Sequence, residues 1–185
     1  PPSLEEIQAE LRGDDTILLE YAMGEEKSYV WAVTSDSFSG YELPARARIE
    51  ELTREVYSLL TARPTDTEAK WDERYWQKAA ELSRVLFGQL SRQLGSKRLL
   101  IVADGALQYL PLEALPSPAT AEESETEPLA TRHEVVYLPS AATLITLRRE
   151  ATRPLSVSKS VFVLADPVFD KGDPRVKTVG AVEGA

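Results

Sequence analysis

Residues 99–105, Leu-Leu-Ile-Val-Ala-Asp-Gly, are an apolar run that stops abruptly at an acidic residue and a glycine. Apolar and polar side chains do not alternate in it, so it predicts a strand buried on both faces of a parallel sheet. Residues 134–138 and 161–165 predict two more strands of this kind. A helix between these two strands, capped by Ser140, completes a βαβ unit with a right-handed crossover. The sequence therefore predicts an α/β fold.

An antiparallel meander is predicted before this run. Two strand-like stretches at 16–23 and 27–33 flank a Gly-Glu-Glu turn, which is typical of a hairpin, and a third strand is predicted at 39–43. A short helix that Ser3 can cap precedes the meander. Two amphipathic helices follow it, marked by apolar side chains at helical spacing. These side chains are Ile49, Leu52, Val56, Leu59 and Leu60 in the first helix, and Tyr75, Ala79, Leu82, Leu86 and Leu90 in the second.

The composition excludes several classes of function. The 185 residues carry 21 Lys and Arg against 30 Asp and Glu, a net charge of −9, which argues against nucleic acid and anionic membranes as partners. Cysteine is absent and His133 is the only histidine, so a thiol nucleophile and a two-histidine metal site are excluded. No apolar run is long enough to span a membrane. We expect an acidic cytoplasmic protein without a metal or another cofactor.

Few residues are candidates for chemistry. His133 could act as a general base with Ser140 as nucleophile or Asp104 as orienting group. It stands at the start of a strand, however, and Ser140 fits better as a helix cap, so a structural or exposed His133 is the favoured interpretation. Asp104 and Asp166 each follow a buried strand, where ligands of α/β proteins bind. The favoured interpretation is that each simply opens a turn, with Gly105 or Pro167 after it. Residues 116–128, rich in proline and glutamate, predict a surface loop.

Six stretches, in order, resemble the CHAT family of caspase-like domains, which often follow tetratricopeptide repeats. The stretches are 17–21 (ILLEY), 28–34 (SYVWAVT), 99–105 (LLIVADG), 107–115 (LQYLPLEAL), 136–141 (VYLPSA) and 164–167 (LADP). The resemblance implies a caspase-like α/β sandwich with the two-lobed plan that separases share. It assigns residues 1–155 to a non-catalytic lobe, with the meander and helices around a mixed sheet. Residues 156–185 would be the first strand and following loop of the catalytic lobe, truncated.

The resemblance also implies a function. The parent family consists of cysteine endopeptidases, and neither its catalytic histidine nor its cysteine has a counterpart here. His133 does not match that histidine, because its surroundings match the entry to an earlier strand. This chain is therefore expected to be inactive alone and to support a His/Cys dyad carried by a carboxyl-terminal partner fragment. Asp166 matches a wall of the pocket that holds the substrate side chain before the cut, where a carboxylate favours Arg or Lys.

Three hypotheses follow from these observations. The leading one is the amino-terminal part of a CHAT peptidase, whose partners are the catalytic fragment, tetratricopeptide repeats and a peptide or protein substrate. The second is a non-enzymatic module that docks a repeat domain or a regulator. The third is a small hydrolase with its own site around His133. The first predicts rescue of thiol-dependent proteolysis by a carboxyl-terminal fragment, and the third predicts activity that His133→Ala abolishes.

Overall fold

The computed structural model describes residues 2–11, 15–62, 68–118 and 126–151. The chain divides into two compact units, 1–153 and 154–185, and every described residue belongs to the first. The predicted strand at 161–165 and Asp166 lie outside the described residues. The assignment of 1–155 and 156–185 to two lobes therefore stays a prediction.

Five strands form one mixed sheet in the order β3-β2-β1-β4-β5. The first three are the antiparallel meander, and β4 runs parallel to both β1 and β5. This arrangement confirms the predicted meander and the parallel setting of the 99–105 run. The strands are β1 (Thr16–Ala22), β2 (Ser28–Val33), β3 (Phe38–Leu43), β4 (Arg98–Val102) and β5 (Val135–Tyr137).

Helices pack on both faces of this sheet, which makes a mixed α/β sandwich. They are α1 (Leu4–Glu10), α2 (Arg46–Thr61), α3 (Glu68–Phe87), the single turn α4 (Ser91–Leu94) and α5 (Ala141–Ala151). The two predicted caps are present. The Ser3 hydroxyl accepts from the Glu6 amide at 3.2 Å in a capping box, and the Ser140 hydroxyl accepts from the Thr143 amide at 3.3 Å.

The larger core lies between the sheet and helices α2 and α3. Alternate residues of the two central parallel strands point into it, including Ile17 and Leu19 of β1 and Leu99 and Ile101 of β4. The apolar stripes predicted for the helices meet them there, with Ile49, Leu52, Val56, Tyr75, Ala79, Leu82, Leu86 and Leu90 all buried. Burial of this stripe, more than intrinsic propensity, holds the two helices in place.

A smaller core covers the opposite face, where α1 and α5 lie. Leu18 of β1 and Leu100 of β4 pack there against Leu11 and Leu144. The 99–103 run is thus covered on both sides, as its sequence predicts. The prediction of a second such strand at 134–138 is wrong in one respect: only Val135–Tyr137 pair, and they are partly buried or exposed. The reason is position, because β5 is the last strand of the described sheet and pairs on one side only.

The ends of the predicted surface loop are tied together. Pro116 and Pro128 form an isolated antiparallel bridge, and the Ser117 amide donates to the Glu127 carbonyl at 2.9 Å. Residues 119–125 lie outside the described residues. The paired ends place Leu115 and Leu129 in the larger core, so the loop leaves and re-enters the fold at one point.

Candidate functional site

The carboxyl ends of β1, β4 and β5 meet at one edge of the sheet, the usual place for a site in an α/β fold. A shallow cavity of about 390 Å³ lies at this edge, lined by Ala103, Gln108, Tyr137, Leu138 and Pro139. Asp104, one of the sequence candidates, directly follows β4 at the same edge. The groups that surround this edge decide what chemistry it can support.

Asp104 closes the edge between β1 and β4 and does not offer a free carboxylate. Its Oδ2 accepts a hydrogen bond from the Met23 amide at 2.8 Å and lies 4.0 Å from Nη2 of Arg46. The Arg46 guanidinium also donates to the Met23 carbonyl, and its backbone amide donates to the Gly24 carbonyl at 2.9 Å. Asp104 therefore joins the end of β4 to the β1–β2 turn and to the first turn of α2. Gly105, with φ 55°, continues the turn that Asp104 opens.

Replacing Asp104 with Ala should lower the free energy of unfolding by roughly 1–2 kcal/mol, because the buried amide of Met23 loses its acceptor. Asp104→Asn keeps an oxygen for that amide and loses only a half-exposed charge interaction, so its cost should stay below about 0.5 kcal/mol. Urea denaturation of the two variants measures the difference. Equal losses in Ala and Asn variants would show that charge, and not the hydrogen bond, is what Asp104 contributes.

Tyr137 organises the other half of the edge. Its hydroxyl donates to Oε2 of Glu113 at 2.5 Å and accepts from the Leu112 amide at 2.6 Å. Burial, followed by the bond to Glu113, raises the pKa of Tyr137 well above the usual range for tyrosine. The hydroxyl therefore keeps its proton and holds the segment after β4 against β5. A phenol bound on both sides in this way is a poor general acid or base near neutral pH.

Three tyrosines are expected to lower the free energy of unfolding in alkali. Burial raises the pKa of Tyr21, Tyr75 and Tyr137, so they stay neutral in the folded protein above the pH at which the unfolded chain ionises. The contribution of these tyrosines to the free energy of unfolding should not change with pH below about pH 10. Above that pH it should fall, since only the unfolded state then releases protons. The melting temperature measured at about pH 9 and about pH 11 tests this. Tyr137→Phe should make the fall shallower, and an identical slope would remove Tyr137 from the effect.

His133 lies at the opposite end of the sheet. It is buried, 5% exposed, and its Nδ1 is 2.7 Å from the Lys97 carbonyl oxygen just before β4. Asp104 comes after β4 and Ser140 caps α5, so the structure does not bring the three residues together. This geometry supports the structural interpretation of His133. It gives the hydrolase hypothesis no group of catalytic residues around His133. Asp166, the predicted substrate-binding residue, lies outside the described residues.

The described residues contain neither a cluster of metal ligands nor a membrane-spanning helix. Their histidine and carboxylate side chains form no group of three that could hold a metal ion. None of the helices within the described ranges has the length and apolar character that a membrane crossing requires. A hollow of about 580 Å³ between α2 and α3 is lined by several charged side chains, among them Arg54, Glu55 and Lys78. Some of these side chains pair with each other, as in the 2.8 Å ion pair between Lys78 and Glu55.

Sequence reasoning missed Arg46 and the Tyr137–Glu113 pair. Arg46 begins an amphipathic helix and looks like any exposed basic residue, and its partners are Met23 and Asp104, far away along the chain. Tyr137 looked like one residue of an apolar strand. Only the strand order, which places β4 between β1 and β5, shows that these side chains meet at one edge.

Comparison with known families gives one match. A family model described as the CHAT domain matches residues 77–183, more than half of the chain. The match begins after the meander, so the stretches 17–21 and 28–34 lie outside it, while the four later ones lie inside. No curated protein matches the chain.

Proposed function

The chain belongs to the CHAT domain family, and from that membership we propose that it is the amino-terminal part of a caspase-like cysteine endopeptidase. In this proposal the described residues form the non-catalytic lobe, and residues 156–185 begin the catalytic lobe. The His/Cys dyad is carried by a carboxyl-terminal fragment outside this chain. The chain supports that dyad structurally and does not perform the chemistry.

One observation carries the proposal: the chain has no thiol, and its only imidazole is buried and in contact with the backbone. Cysteine is absent from all 185 residues. His133 is buried with Nδ1 against the Lys97 carbonyl, far from the carboxyl edge of the sheet. A cysteine peptidase needs a thiolate to attack the peptide carbonyl, a histidine to transfer the proton to the leaving amine, and amides to stabilise the oxyanion. In this proposal the thiolate and the catalytic histidine come from outside the chain.

The lobe itself is suited to a supporting role. Asp104, Arg46 and Met23 close one half of the carboxyl edge, and Tyr137 with Glu113 closes the other. An edge that is occupied by its own hydrogen bonds keeps the strands in fixed positions without offering a reactive group. A sheet held in this way suits the supporting role that this proposal gives to the chain.

The test is complementation. Residues 1–185 are assayed on a peptide library alone and after co-expression with the carboxyl-terminal remainder of the same protein. We expect turnover only by the pair, and complete loss of it after alkylation with iodoacetamide. Turnover by residues 1–185 alone would contradict the proposal. So would a loss of turnover when the pair carries His133→Gln in residues 1–185 and is still folded. A pair that forms but never cleaves a peptide would also contradict it.

Asp166 is proposed as the residue that selects a basic side chain before the cut. In the complemented enzyme, Asp166→Ala should reduce kcat/KM for substrates with Arg or Lys at that place by about tenfold or more, because a charge-assisted bond is lost. Cleavage after uncharged residues should change little. Asp170→Ala is the matched control, since it removes a carboxylate four positions along the same segment. An unchanged preference in Asp166→Ala would remove Asp166 from the pocket.

A second candidate function is the non-enzymatic module that docks a repeat domain or a regulator. The observation that favours it is the exposure of two aromatic side chains on the sheet, 40% for Tyr29 and 52% for Phe38. The complementation assay separates the two candidates, because a docking module binds a partner and gains no activity from the remainder of the protein.

A further inference from the structure

Strand β3 is an edge strand of the described sheet, and its outer side is only partly occupied. The Thr34 amide donates to the Ser37 carbonyl at 3.0 Å and closes the β2–β3 hairpin. The next pair, Val33 with Phe38, is then a non-hydrogen-bonded pair, and every second pair after it is of the same kind. Phe38, Gly40 and Glu42 therefore direct their amides and carbonyls away from β2.

One contact confirms this direction. The side-chain amide of Gln89 donates to the outward carbonyl of Glu42 at 2.9 Å. At Phe38 and Gly40, by contrast, the outward groups make no hydrogen bond with any described residue. These two residues leave a short, unpaired stretch of strand edge, which is the element that binds an extended peptide by β-augmentation.

An aromatic row lies beside this edge; we use the term for Tyr29, Trp31 and Phe38. Cross-strand pairing puts all three on the same face of the sheet. The rings of Tyr29 and Trp31 are stacked with centroids 6.1 Å apart. Trp31 lies over Gly40, where a Cβ atom would come within 3.2 Å of the indole. The missing side chain at 40 thus brings the indole up to the strand edge.

The helices of this face leave the aromatic row uncovered. Helix α1 reaches only the hairpin end, where the Gln8 side-chain amide donates to the carbonyls of Thr34 and Ser37 at 3.1 and 3.2 Å. Helix α5 packs over β1 and β4 through Ala141 and Leu144. Phe38 remains 52% exposed and Tyr29 40% exposed. Exposed aromatic side chains in a row beside an open strand edge are typical of an interaction surface.

The surroundings of the aromatic row are acidic. Residues 15–44 contain six acidic side chains and a single basic one, Lys27, which is paired with Glu42 at 2.8 Å. Glu20 stands opposite Trp31 on the neighbouring strand, and Glu25 and Glu26 are exposed in the β1–β2 turn. Most of the net charge of the whole chain therefore lies in the meander. Such a surface attracts a cationic partner and repels an acidic one.

We propose that the β3 edge binds an extended basic segment of a partner protein, which adds to the sheet as a further strand. The amides and carbonyls of Phe38 and Gly40 bind its backbone. Its Arg or Lys side chains lie over Trp31 and Tyr29, where a cation is attracted by the ring faces, and near Glu25 and Glu26. This inference does not depend on the peptidase assignment.

A second copy of the chain fits this edge less well. Two copies bring two surfaces of the same negative charge together. A two-fold pairing centred on Gly40 would also place Phe38 of each copy opposite Glu42 of the other. The Glu42 carbonyl, however, is already taken by Gln89. The edge suits a short heterologous strand.

The test uses the full chain and an acetylated peptide of alternating arginine and valine, with binding followed by calorimetry. Phe38→Ala should weaken binding by about tenfold, because a cation–π and stacking surface is lost. The charge reversal Glu25→Lys with Glu26→Lys should weaken it by a similar factor. Bound peptide should slow hydrogen exchange at the amides of Phe38 and Gly40. A peptide N-methylated at alternate amides should bind at least about tenfold more weakly, since it cannot pair with the edge.

Two matched variants control for non-specific attraction between the basic peptide and the acidic chain. Asp72→Lys with Glu73→Lys reverses another exposed pair of adjacent acidic residues, on α3, and Tyr109→Ala removes a ring that is 77% exposed elsewhere. Both should change the affinity by less than about twofold. The proposal is overturned if these controls weaken binding as much as the β3 variants do, or if the N-methylated peptide binds equally well. A glutamate–valine peptide that binds equally well would overturn it too, as would a dimer of the free chain that Phe38→Ala dissociates.

Discussion

Replacing Leu19 with Ala is expected to lower the free energy of unfolding by about 3–4 kcal/mol, one of the two largest effects of a single substitution that we predict. Leu19 has no exposed surface and lies in the middle of β1, paired with Ala32 on one side and Ile101 on the other. Its side chain packs in the larger core against α2 and α3. The cavity left by Ala would be walled by three paired strands, which cannot move inwards to fill it. Urea denaturation followed by circular dichroism measures the loss.

Leu147→Ala is the control for this prediction. Leu147 is on α5 and is 53% exposed, so its truncation should change stability by no more than about 0.5 kcal/mol. Both variants remove the same side-chain atoms, from a buried position in β1 and from an exposed position on α5. A loss below about 1 kcal/mol for Leu19→Ala would show that β1 is not held as rigidly between its neighbours as the sheet order requires.

The central part of the fold could be predicted because its sequence signal is local. The 99–103 run is apolar at every position, and a strand with both faces buried needs that composition. The same signal failed for 134–138, because a run of apolar residues does not tell how many neighbours the strand has. Val135 and Val136 are only partly buried. Strand order decides this, and strand order depends on contacts between distant parts of the chain.

The site was less predictable for the same reason. The turn-forming role of Asp104 could be read from the glycine after it, but the identity of its partners could not. Met23 and Arg46 meet Asp104 because β4 inserts beside β1, and no local pattern near residue 46 signals that role. Likewise, alternation along β2 puts Tyr29 and Trp31 on one face of the sheet, but only the positions of α1 and α5 show that this part of the face is left open.

Gly24→Ala should destabilise the protein by about 2–3 kcal/mol, the upper part of the range for overpacking. A Cβ atom at this position would collide with the backbone carbonyl oxygen of Lys27, so the β1–β2 turn itself must shift. That shift also disturbs the hydrogen bond from the Arg46 amide to the Gly24 carbonyl and, next to it, the bond between Met23 and Asp104. Losing either bond adds roughly 1 kcal/mol, which is why the effect should exceed that of Asp104→Ala.

Gly88→Ala separates this collision from the general effect of adding a methyl group. A Cβ atom at residue 88 meets nothing within 4 Å, so the substitution should leave stability within about 0.5 kcal/mol of the starting protein. Gly24→Ala combined with Asp104→Ala should cost less than the sum of the two single losses, because both act on the same turn. Fully additive losses would mean that the β1–β2 turn and the end of β4 are stabilised independently. The hydrogen bonds around Asp104 would then not act as one unit.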